Sequence, residues 1–287
     1  MEKKRKKRRG LWVLCALLLA LGLFAALPQG RSVAVMSVYS RMNGRGSLTA
    51  EKGLRIRMPG GLSTLKKDWY PFVMTFEAGT DFGRAAGCPG ARLTILYNFG
   101  AFGLQGRSSL YDPDSPYFNS FYGAYLVEQP EGLFGFCETE QADGSIGRTL
   151  DLAAMAEVPR YDFSRLVLAD FGLSPRDFVF DWQPVGVPTE STAAGLDGWT
   201  RIAARLRVSS VRHEKQGFVT SYLQYGAPKG ACAVPFEPVD MLGIIYARPF
   251  PEEGVSVFLY ALCGDEAALA DCEERFLLKT RIDRRGE

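Results

Sequence analysis

The stretch Tyr117-Phe118-Asn119-Ser120-Phe121-Tyr122-Gly123-Ala124-Tyr125-Leu126-Val127 decides how the rest of this chain is read. In an extended backbone alternate side chains point to opposite faces, so Tyr117, Phe121 and Tyr125 share one side and Phe118 and Tyr122 the other. A strand carrying rings on both faces must be covered on both, which places it in the middle of a sheet.

Upstream, Arg92 to Phe99 alternates, with Leu93, Ile95, Tyr97 and Phe99 on one face, and Trp69 to Phe76 reads as a first ordered element. Downstream, Gly132 to Cys137 reads as a short strand. Leu150 to Val158 reads as a helix stopped by Pro159, and Asp162 as the cap of a second helix reaching Phe171, with Gly172 ending it. Phe178, Phe180 and Trp182, spaced by two, mark another strand. Ile202, Ala204, Leu206 and Val208 alternate with Arg201, Ala203, Arg205 and Arg207, and pair as a hairpin with Phe218 to Tyr225 across the turn Arg212 to Gly217. Met241 to Ala247 and Val255 to Leu262 supply two further strands. A last helix runs from the cap Asp265 to Leu278, with Leu269, Cys272 and Phe276 as its buried stripe.

Several strands followed by a helix, twice over, give an α+β fold with mostly antiparallel sheet and a few packed helices. The expected organisation is a basic tail over 1–10, an apolar segment over 11–27, a linker or arm over 28–68 and an α+β domain over 69–287. The turn-rich 184–198 is the candidate division of that domain into two subdomains.

The N-terminus carries an address. Lys3 to Arg9 are seven consecutive cations, followed by the 17-residue uncharged run Leu11 to Leu27. As a helix those residues span about 26 Å, slightly short of a hydrocarbon core of about 30 Å, a gap that bilayer thinning or snorkelling of Arg9 and Arg31 can cover. A cleavable signal has a shorter apolar region and a small-x-small site. Cleavage after Ala26 would put Phe24 where a small residue is needed, and Ser32-Val33-Ala34 lies several residues beyond the run. The expectation is an uncleaved anchor over 11–27 in a lipid bilayer, with the domain outside the cytoplasm because positive flanks stay inside. Cleavage would make it a secreted protein.

Of 34 Lys and Arg and 32 Asp and Glu, residues 1–10 hold seven and one, leaving 27 cations against 31 anions, a net of −4. A mildly acidic domain argues against nucleic acid as a partner, since phosphate neutralisation needs a basic surface. Beyond Cys15 there are five cysteines, Cys88, Cys137, Cys232, Cys263 and Cys272, so at least one stays a thiol. The expected bridge is Cys88 to Cys137, two strand-edge residues of one half.

No catalytic set is assembled in the sequence. The single histidine, His213, sits in a polar turn with no Gly-x-Ser-x-Gly elbow, and neither a phosphate-cradling loop nor a zinc spacing occurs. No cofactor or metal is expected; Glu138, Glu140 and Asp143 before Gly144 do not fit calcium-loop spacing.

Two surfaces remain as candidate binding residues. One is the aromatic stretch Gly100 to Tyr125, where Asp112 and Asp114 stand beside Tyr117 and Tyr122; rings packing on sugar C–H groups next to carboxylates are a sugar-site pattern, but Asp-Pro and Ser-Pro also simply make turns. The other is Arg201, Arg205 and Arg207, able to line one face of a hairpin and hold an anion. The sequence therefore favours a non-catalytic, anchored module that binds an envelope component or protein partner. A carbohydrate-active hydrolase pairing Asp112 or Asp114 with Glu77 or Asp81 is the competing reading.

Overall fold

The computed structural model describes residues 2–26, 38, 41–59, 72–97, 117, 120–140, 144, 146–164, 178–209 and 238–284. Helix α1 (Glu2–Ala26) comes first, then α2 (Leu48–Glu51), β1 (Leu54–Arg57), β2 (Phe72–Phe76), α3 (Phe82–Ala85), β3 (Arg92–Tyr97), β4 (Phe121–Glu128), β5 (Phe136–Glu140), β6 (Ile146–Leu150) and α4 (Leu152–Asp162). Next come β7 (Phe180–Ala193), β8 (Leu196–Ser209), β9 (Pro238–Phe250), β10 (Val255–Cys263), α5 (Glu266–Cys272), a π-helical turn (Glu273–Leu277) and β11 (Arg281–Arg284).

The fold is α+β. Seven strands form one antiparallel sheet in the order β2-β3-β4-β10-β9-β8-β7, with two-stranded pairs β1-β11 and β5-β6 beside it. Strand β4 is third from one edge, between β3 and β10, and every residue of β10 is buried.

Period-two alternation divides the apolar side chains into two cores. Leu93, Ile95, Tyr125, Val127, Phe258, Tyr260 and Leu262 face Phe82 of α3 and Met155, Val158 and Tyr161 of α4. Leu96, Tyr122, Ala124, Leu126, Val257, Leu259 and Ala261 face Leu48, Leu54, Ile56, Leu269, Phe276 and Ile282. A sheet covered on both faces needs strands that are apolar on both, as β4 is up to Val127 and β10 is apart from Ser256. Gly123 is required where β4 meets β3, because a Cβ there would lie 2.0 Å from the Leu96 carbonyl oxygen.

Several elements differ from their sequence expectation. Pro159 does not stop α4: the helix starts at Leu152, capped by Asp151 accepting from Ala153 and Ala154 N–H, and runs on to Asp162. Pro159 forfeits one N–H, yet Val158, Pro159 and Tyr161 are buried around it, and that burial outweighs the lost bond. Asp162 thus ends a helix instead of starting one. The expected helix beyond it, the turn at Arg212 to Gly217 with His213, and Phe218 to Tyr225 lie outside the described residues. Strand β8 pairs with β7 and β9. Residues 184–198 form the end of the β7–β8 hairpin, within the same sheet as β2, β3 and β4. The 28–68 arm contributes to the core through Leu48, Leu54, Ile56 and Met58, each at most 2% exposed.

The expected Cys88 to Cys137 bridge does not form. Both thiols are free; Cys88 donates to Gln129 Oε1 (3.4 Å), and Cys137 is exposed on the β5–β6 pair. The expected apolar segment lies in the 25-residue helix α1, of which Gly10 to Ala26 is without charge, about 26 Å of rise. Among the described residues no helix is long and apolar enough to cross a membrane.

Candidate functional site

The π-helical turn lies over the inner strands of the sheet, from Tyr122 of β4 to Arg201 of β8. Its position follows from the stripe Leu269, Cys272 and Phe276, which seats α5 and the turn on the sheet, with the Phe276 ring stacked 4.2 Å from that of Tyr122. This seating leaves Glu273 facing the strands. Arg201 of β8 and Tyr246 of β9, direct partners in the register, meet it there.

Arg201 donates from Nε to Glu273 Oε1 (2.6 Å) and from Nη2 to Oε2 (3.1 Å), while the Tyr246 hydroxyl donates to Oε1 (2.5 Å). Burial tends to push the Glu273 carboxyl up, but the bonds from Arg201 and Tyr246 outweigh it and hold the group below its ordinary value. Burial first, and the adjoining carboxylate second, push Tyr246 up to about 12. The result is a carboxylate fixed as an anion and a phenol fixed as a donor.

Two residues earlier, at Asp271, the pattern repeats. The Tyr117 hydroxyl donates to Asp271 Oδ2 (2.5 Å), to which Arg275 Nη1 also donates (3.0 Å). Burial and then the Asp271 bond push Tyr117 up to about 12. This pair ties Tyr117 to α5.

A third cluster sits at the β3–β4 end. Arg92 donates to Glu51 (3.0 and 2.8 Å), Glu77 (2.9 Å) and Glu128 (2.8 Å), and Lys52 also pairs with Glu128. The bond to Glu51 is the largest of the effects that raise the Arg92 pKa. This cluster fastens α2 onto β3 and β4.

The sequence-chosen residues thus separate. Asp112 and Asp114 lie outside the described residues. Tyr117 is tied to Asp271, and Tyr122 is a core residue, fully buried, whose hydroxyl donates to the Pro59 carbonyl (3.1 Å). Arg201, Arg205 and Arg207 do share a face of β8, but Arg201 is spent on Glu273. Arg205 and Arg207 are exposed, and Arg207 lies in register between Asp181 and Asp240. The carboxylates weighed as hydrolase partners are occupied as well: Glu77 by Arg92, and Asp81 by the Tyr161 hydroxyl (2.5 Å).

Sequence reading missed Asp271, Glu273, Tyr246 and Arg92. Only Arg201 had a local signal, its place in an arginine series; its partner is 72 residues away and shares no pattern with it. Among the described residues no three His, Cys, Asp or Glu side chains converge as a metal set. Chemically, the three clusters bind the chain to itself: Glu273, Asp271, Glu51, Glu77 and Glu128 each accept at least one hydrogen bond from an arginine of the chain. The chain matches no family model, no curated protein and no solved structure.

Proposed function

We propose that this is a single-pass membrane protein whose α+β domain stands outside the cytoplasm and acts as a non-catalytic module binding an envelope component or protein partner. One observation carries the anchor: Trp12, Val13, Leu14, Leu17, Leu18, Leu19, Leu21 and Leu23 of α1 are all exposed, 53% to 73%, directly after seven consecutive cations. A helix that is apolar all round is stable only against other apolar matter, and a lipid core supplies it. The short span is met by local thinning of the bilayer and by basic side chains reaching the headgroups. The positive end stays inside, which puts the domain across the membrane. The non-catalytic half of the reading is supported by the pairing of Glu273, Asp271 and Glu128 with arginines of the chain, which commits these carboxylates to holding the fold.

The test is extraction of the full chain from cells. The expected result is that alkaline carbonate leaves it in the membrane pellet, detergent releases it, and protease added to intact cells stripped of any outer barrier removes the domain. A soluble chain starting near Val35 overturns the anchor, and a domain protected from outside protease overturns the orientation.

A further inference from the structure

The one close meeting of thiols among the described residues is not the pair suggested by strand position. Cys263 ends β10 and Cys272 ends α5; in the structure both are free thiols, with Cys263 Sγ donating to Cys272 Sγ at 3.7 Å and both residues 0% exposed. A disulfide needs about 2.0 Å, so the sulfurs must close by about 1.7 Å, within the reach of small side-chain rotations. Only eight residues separate them, and the Asp265 side chain, accepting from Ala268 N–H (2.9 Å), fixes the turn that brings the helix back over the strand. Both cysteines belong to the same apolar core as Leu259, Ala261, Leu269 and Leu277, and among the described residues no metal ligand set forms that would compete for the sulfurs.

We propose that Cys263 and Cys272 are joined by a disulfide, made while the domain folds, that pins α5 and its carboxylates to the central strand. The oxidant is a disulfide-bearing molecule or protein. One cysteine thiolate attacks it to form a mixed disulfide and expel a thiolate; the second cysteine attacks the first one's sulfur and expels the other. Two protein thiols lose two protons and two electrons, and the oxidant leaves as two thiols. Timing follows from burial. Contact with Cys263 and then burial push the Cys272 thiol well above its ordinary range, and no face of either sulfur is open, so the folded protein reacts slowly in both directions. The bridge is therefore a folding-time staple and not a reversible switch. It deepens the extracytoplasmic reading, which supplies an oxidising compartment, but its chemistry depends on the fold alone.

The test separates the two. The full chain in detergent is reduced, denatured and refolded in a mixture of oxidised and reduced glutathione, then alkylated under denaturing conditions without reductant and cut at Asp265 and Asp271, between the two cysteines. The expected product is one species holding both cysteine peptides, lighter than the sum of the two free-thiol peptides by two hydrogens; in Cys263→Ala the remaining Cys272 is alkylated in full. Recovery of both peptides alkylated, or of Cys272 joined to Cys232, overturns the proposal whatever the compartment. Added to already folded, reduced protein, the same buffer is expected to form the bridge at least tenfold more slowly; equal rates overturn the folding-time assignment. The same alkylation on chain taken directly from cells should show the bridge. Its absence there, with the bridge formed on refolding, overturns the oxidising location and leaves the pair standing.

Discussion

The two faces of the seven-stranded sheet are covered by different means. On one, α3 and α4 lie over a field of rings: Tyr161 sits edge-on to Phe76 (5.1 Å) and Phe82 (5.2 Å), and Tyr125 stacks on Tyr260 (4.3 Å). Its embedded charge is Asp162, fully buried, accepting from the Tyr125 hydroxyl (2.6 Å). On the other face the cover is drawn from both ends of the domain: α2 and β1 from one, α5, the π-helical turn and β11 from the other. These elements are four to seven residues long. Short elements bury little apolar area each, so charge-assisted bonds supplement them: Arg92 with three glutamates, Arg201 with Glu273, Arg57 with Asp283, Arg284 with Glu252 and Glu253. Among the described residues, the face that carries the 11-residue α4 is closed mainly by packing, while the face closed by short elements is also fastened by charged pairs.

The sharpest break in the comparison is Tyr125→Phe. It keeps the ring stack but deletes a donor to a fully buried carboxylate, and should cost about 2–3 kcal/mol in denaturant unfolding. A loss under about 0.5 kcal/mol would mean that Asp162 is held mainly by other groups and that the ring face does not depend on this bond.

Next is Glu273→Gln, expected to cost about 1–2 kcal/mol, since Arg201 stays partly hydrated and recovers some solvation. This variant also carries the pH signature. Glu273 titrates lower folded than unfolded, so its contribution is present above its unfolded value of about 4.5 and is lost as pH falls through the folded one. Acidification below that point should destabilise the parent more steeply than Glu273→Gln, and parallel stability curves would remove the cluster from the account.

The smallest effect is Arg92→Lys, about 0.5–1 kcal/mol, because a point charge cannot serve three carboxylates as the guanidinium fork does. In molar salt the gap should narrow, and amide exchange should quicken in residues 47–57 before it does in α4. Equal salt sensitivity of the two faces would erase the distinction drawn between them.

Much of the sheet was legible because its signals are local. Alternation marked β3, β8, β9 and β10, rings on both faces marked β4 as internal, and Asp265 with Leu269, Cys272 and Phe276 gave the last helix its cap and buried stripe. The misreadings share one cause. Pro159 and the Gly- and Arg-rich 28–68 stretch look like breaks when judged by backbone preference, but burial of Tyr161, or of Leu48 and Ile56, is worth more than the preference it overrides. The candidate site was hardly legible, as the bonds that assemble it join residues 27, 72 and 154 positions apart.

By itself the sequence determined the charge divided from the greasy run at the N-terminus, the acidic balance of the rest, and which strands must lie inside the sheet. Each is a property of neighbours along the chain, where spacing and composition carry the information. Only the tertiary structure decided that Cys263 faces Cys272, that Arg201 is occupied by Glu273, and that both ends of the domain close the same face. These depend on how a twisted sheet and its loops return distant segments to one place, and that distance in sequence is what no local pattern encodes.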